Sequence, residues 1–253
     1  MKLAFALFLA PTLAVADPRV IAAVDQHILP RFAALTDATA ALAAQESCEV
    51  SDEWNAAAVA WVAVSHLRFG PTETDSRAFA LAYWPDPRGA TPKAITALLG
   101  DAAPDIADAS IAGRGLYAME FLLFDPAYEN AAGRCDLIAG LAQDAHMTAK
   151  AIQTDWEDRY AALMRETGND TYRDNTEALQ ELYKSVTTGL NFTTGTRLGR
   201  PLGTFDRPRP TRAEMRRSGR SLDNVIVSMT SLDELAQILA GDALGQGIQQ
   251  RFE

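Results

Sequence analysis

Apolar residues in this chain recur every three or four positions over one stretch after another, and this helical period limits the fold more than any other feature. Val20, Val24, Ile28, Phe32, Leu35 and Leu42 place one apolar face on a first long helix, in which Pro30 predicts a bend. Ser51, followed by Asp52 and Glu53, reads as the start of a second helix, an oxygen cap with carboxylates facing the helix dipole. That helix passes through Trp54 and Trp61 and is expected to stop at Gly70-Pro71. Pro71, Pro85, Pro87, Pro92 and Pro104 divide residues 70–112 into short helices and loops. Leu137, Leu141, Ala145, Thr148, Ile152, Trp156 and Leu163 trace another long helix, and Leu179, Leu182, Tyr183, Val186 and Leu190 one more. After a proline-rich connector from Pro201 to Pro210, Leu222, Val225, Ile226, Met229, Leu232 and Leu235 form the last stripe. Convincing β-type alternation and short tandem repeats are both absent. The expected fold is all-α: two antiparallel helical-bundle halves, residues 17–130 and 131–253, with long helices joined by short helices and loops.

The first sixteen residues read as a cleaved secretory signal, with Lys2 as the basic end, Leu3 to Ala10 as a short apolar core and Ala14-Val15-Ala16 before the cut. Their apolar stretch is far short of the roughly 20 residues that span a bilayer. A periplasmic protein without a membrane span is therefore expected. Losing Lys2 with the leader would take the formal charge from -10 to -11. Such a surface repels nucleic acid and anionic lipid at long range. Two cysteines, Cys48 and Cys135, are the right number for one disulfide in an oxidising compartment. Free buried thiols are the alternative, and a two-cysteine metal site lacks neighbouring histidines at ligand spacing.

The segment Gly113–Phe124, GRGLYAMEFLLF, holds the chemistry that stands out. Glu120 lies in an apolar helical run, and burying a carboxylate there needs a partner, a proton or a metal. The segment resembles the GxHxxE motif of the imelysin family, with Gly115 and Glu120 matching and Tyr117 in the histidine place. Trp61 followed by Phe69-Gly70-Pro71, then Tyr83-Trp84-Pro85, and finally Arg217-Ser218-Gly219-Arg220-Ser221-Leu222-Asp223-Asn224 resemble further family blocks in family order. The resemblance implies two related four-helix halves, a periplasmic or outer-membrane location and a link with iron uptake. It also implies a peptidase label, resting on the motif's His and Glu as metal ligands.

Tyr117 alters what that label carries. Zinc peptidases need further ligands and a general base beside an open position, and HExxH is missing. Tyr117 and Glu120 as metal ligands would form a hard oxygen set suited to ferric iron, and tyrosine also serves as an axial haem ligand. Alternatively, Tyr117 packs in the core and bonds Glu120 or a water.

Six arginines between 207 and 220 face a single acid, Glu214. Arg217, Ser218, Arg220, Ser221 and Asn224 could form a carboxylate pocket beside Glu120, or Arg217 or Arg220 could pair with Glu120 itself. Both readings require the two blocks to meet in space. His66 is a minor candidate, and nucleophile-elbow, phosphate-loop and dinucleotide motifs are missing. The preferred function is help in iron or haem acquisition by binding, with an iron-uptake or membrane partner. A metal-dependent peptidase and a helical docking module are the rivals.

Overall fold

The computed structural model describes residues 17–241, so the proposed leader lies outside the described residues. Eight helices can be numbered among the described residues, three of them long and interrupted by π-helical stretches. Helix α1 (18–43) comprises Pro18–Ala22, a π stretch Ala23–Ile28 and Leu29–Ala43. Helices α2 (Ser51–Val64), α3 (Arg77–Leu81), α4 (Ala90–Leu99) and α5 (Gly115–Phe124) follow. Helix α6 (134–165) joins Arg134–Asp155, Trp156–Tyr160 and Ala161–Arg165, the middle part π-helical. Helix α7 (175–202) joins Asn175–Asn191, the π stretch Phe192–Gly199 and Arg200–Leu202. Helix α8 is Ser221–Ala240. The described residues contain isolated β-bridges but no strand.

Local chemistry explains several of these boundaries. Asp17 caps α1 by accepting from the Arg19 amide, with Pro18 preorganised at the first turn. Asp174 caps α7 through the Glu177 amide. Pro30 has no amide to offer the turn before it, and the chain enters it from the π stretch Ala23–Ile28. Two expected boundaries move. Helix α2 ends at Val64, six residues before Gly70, and Ser51 lies inside it without capping through its side chain. Gly70–Thr72 instead begins a short 3-10 turn.

One continuous core runs from Val20 to Leu239, with α1 packed along both α2 and α6. Phe32 stacks on Trp156 at 5.9 Å, and Phe69 and Tyr160 meet the same indole edge-on. The Cys48–Cys135 disulfide ties the turn after α1 to the start of α6. Helix α8 departs from its expected stripe. Leu222, Ile226 and Met229 are exposed, while the buried face carries Asn224, Ser228 and Ser231 before turning apolar at Leu232, Leu235 and Leu239. A polar interior opposite that face is the reason.

Candidate functional site

Gly115 sets the position of α5. Its φ of +69° lies in the left-handed region, and an added Cβ would sit 2.2 Å from the Ala80 carbonyl oxygen. Only glycine lets α5 begin so close to the end of α3. The Trp54 indole then anchors the first turn by donating to the Leu116 carbonyl at 2.9 Å. Helix α5 is thus buried nearly all round, and Tyr117 and Glu120 lie one turn apart on it.

The segment 213–220 crosses over these two residues. The Glu120 carboxylate accepts at Oε1 from the Arg217 amide at 2.9 Å, the Ser218 amide at 3.0 Å and the Ser218 hydroxyl at 3.1 Å. The two sequence blocks therefore meet, through peptide groups. Neither arginine pairs its guanidinium with Glu120. Arg217 donates to Asp125 at 2.6 Å and lies over the Phe121 ring, while Arg220 reaches Asn55 at 3.2 Å. Burial raises the Glu120 pKa, opposed by the Ser218 and Arg217 contacts.

Tyr117 also turns away from Glu120. Its hydroxyl donates a short bond to Glu214, itself only 2% exposed. Glu214 further accepts from Arg197 Nε at 2.9 Å and Asn224 Nδ2 at 3.0 Å. Arg197 comes from the π stretch of α7 and spreads its other nitrogens to Ser228 and Ser65, both at 3.0 Å. This network accounts for Asn224 and Ser228 on the polar buried face of α8, while Ser231 donates to the Ala63 carbonyl and accepts from Arg31. Met215, beside Glu214, holds a strained left-handed φ of +44° and is fully buried.

Outside this network lies a cleft of about 420 Å³. Tyr117, Glu120 and Phe121 line it from α5, Trp84 and Asp86 from the loop before α4, and Arg200 from the end of α7. Arg212, Arg216 and Arg217 complete it. Of the residues expected to bind a ligand, Tyr117, Glu120 and Arg217 reach the cleft. Ser218, Arg220, Ser221 and Asn224 do not line it. Ser221 bonds the Glu214 carbonyl at 2.6 Å, and Asn224 serves the buried network.

Against known proteins, the family model described as peptidase M75, imelysin, matches residues 25–252. The chain belongs to the imelysin family. A crystal structure of an imelysin-like protein from Psychrobacter arcticum 273-4 is similar in fold, with a TM-score of 0.70 and 18% identity. The match covers 91% of this chain and 80% of that one. Comparison with curated proteins found no match.

As an imelysin motif, the pair at 117 and 120 does not fit a resident metal ion. Burial and the neighbouring Glu214 charge hold the Tyr117 pKa well above its ordinary value, and its hydroxyl is given to Glu214. Three donors already occupy Glu120 Oε1. No histidine lines the cleft, and no group of three or more His, Cys, Asp or Glu among the described residues could hold a metal. Tyr117 and Glu120 instead take part in two separate hydrogen-bond networks.

Several residues of the site escape the sequence patterns. Glu214 had one signal, as the lone acid in an arginine-rich run. Arg197 and Arg200 had none, because a π stretch changes the helical phase that would place them. His66 pairs with His27, Nε2 to Nε2 at 3.0 Å, both buried. Burial above all pushes their pKa values down, to about 2 for His27 and about 3 for His66, so the pair is neutral.

Proposed function

We propose that this imelysin-family chain binds cargo in the cleft without cutting it, in the service of iron or haem acquisition. One observation carries the reading: the family's two motif blocks meet at an open cleft, where internal bonds hold the acid at Oε1 and tie the phenol to Glu214. A hydrolase at this place would need a general base poised for water and an open metal position. Glu120 holds three donors, and Tyr117 is tied to Glu214. Cargo binding asks only for a shaped, chemically distinct cleft, which the wall of Trp84, Phe121 and arginines supplies. A periplasmic location suits this role, and no helix among the described residues is long and apolar enough to cross a membrane.

The test pairs two assays on untagged mature protein. Casein incubated with the protein and zinc should remain intact, with or without a chelator. Ferric citrate or haemin should be retained through gel filtration. Chelator-sensitive casein cleavage, or failure to retain either iron species, would overturn the reading.

A further inference from the structure

The cleft's charges are not in balance. Asp86 spends its carboxylate on the amides of Ala90 and Thr91, at 2.9 and 2.8 Å. Glu120 is held at Oε1 by the 217–218 cradle, and Arg217 pairs with Asp125. Arg200, Arg212 and Arg216 remain. None of their side chains has a hydrogen bond or ion pair with the described residues, yet all three line one cleft of about 420 Å³. This happens in a chain of net charge -10, where acids to pair with are plentiful. Several other arginines find them: Arg114 with Asp144, Arg77 with Asp155 and Arg165 with Asp25.

Gathering unpaired guanidiniums around a concave wall costs free energy through mutual repulsion, and an anion relieves it. Guanidinium forks match the paired oxygens of carboxylates and phosphates, and they stay charged at any pH the protein meets. Trp84, half-buried and parallel to the Tyr117 ring at 6.4 Å, adds a flat apolar wall beside the arginines.

We infer that the cleft takes a small polyanion, a ligand bearing two or more carboxylate or phosphate groups, gripped by Arg200, Arg212 and Arg216 beside Trp84. This rests on the cargo-binding reading and narrows it: iron would arrive as an anionic complex, recognised by its oxyanion groups rather than by protein ligands to the metal. Polycarboxylates, polyphosphates and haem propionates share this chemistry.

Calorimetry with citrate, pyrophosphate, haemin and acetate separates these sources. At least one multivalent probe should bind, and acetate far more weakly. Arg212→Ala/Arg216→Ala removes two exposed side chains without a hydrogen bond or ion pair to the described residues, so folding should be unchanged. The double variant should weaken binding by about tenfold or more, since a charged hydrogen-bonding group is lost from each position. Added salt should weaken parent binding for the same reason. No multivalent probe binding better than acetate would overturn the inference, and so would binding untouched by the double variant. The two claims can fail apart. Tight binding of metal-free citrate with no gain for the ferric complex would leave the polyanion site standing and sink the iron reading. Ferric citrate bound equally by parent and double variant would do the reverse.

Discussion

The Ser218 amide donates to the Glu120 carboxylate at 3.0 Å, so the second imelysin block neutralises the buried acid with peptide dipoles rather than with an arginine. The Arg217 amide, at 2.9 Å, and the Ser218 hydroxyl complete the cradle. Glu120→Ala strands these donors and should cost about 2–3 kcal/mol in urea unfolding, the scale of hydrogen bonds to a charged group. Glu120→Gln keeps an acceptor and should cost less. Its pH dependence follows from the raised pKa. The folded state binds the Glu120 proton more readily than the unfolded state does, so this group's stabilisation is complete below the ordinary value of 4.5 and declines as pH rises through the folded pKa. Glu120→Gln should flatten that decline. An identical pH profile for parent and variant would refute the assignment.

Tyr117 should behave as a member of the Glu214 network. Tyr117→Phe deletes one of three side-chain donors to a buried carboxylate and should destabilise by about 1–2 kcal/mol. Arg197→Ala leaves Glu214 without its countercharge and should cost about 3–5 kcal/mol. A double-mutant cycle between Tyr117→Phe and Arg197→Ala should be non-additive, because both act on Glu214. Additive losses would mean that the two side chains are independent.

The buried histidine pair predicts sensitivity to mild acid. Both folded pKa values lie below the ordinary 6.5, at about 2 and about 3. The unfolded chain therefore takes up protons first, and the pair's contribution, whole above pH 6.5, is lost as pH falls toward the folded values. Each histidine adds a slope of about 1.4 kcal/mol per pH unit over that window. His66→Gln should lower the slope measured by denaturant unfolding. A parent whose stability does not change from neutral pH down to about 4.5 would contradict the buried, neutral pair.

The Cys48–Cys135 bond closes a sequence separation of 87 residues. Replacing both cysteines by alanine should cost about 2–5 kcal/mol, read as a lower urea midpoint. Non-reducing mass spectrometry of periplasm-derived protein should find no alkylatable thiol. Two modified thiols with unchanged stability would show that the bond is not part of the native protein.

Much of the fold was legible because long helices repeat their apolar residues many times. The stripes from Val20 to Leu42 and from Leu137 to Leu163 both lie on helices with those residues facing the core. The stripe on α8 misled, since Leu222, Ile226 and Met229 suit a core face by hydropathy alone. Asn224 and Ser228 take that face because the ion pair of Arg197 and Glu214 lies opposite, and Ser231 because Arg31 and the Ala63 carbonyl do; no local pattern announces partners so distant in the chain. The meeting of the Glu120 and 217–224 blocks was legible from an uncompensated acid and an arginine-rich run. Which atoms met was not, because backbone amides look the same in every sequence.

Titrating ferric citrate into the untagged protein by calorimetry, with casein and zinc present in a parallel sample, tests cargo binding without cleavage most directly. Saturable binding of the ferric complex with intact casein is the expected result. Cleaved casein that a chelator protects, with no heat from the ferric complex, would contradict it.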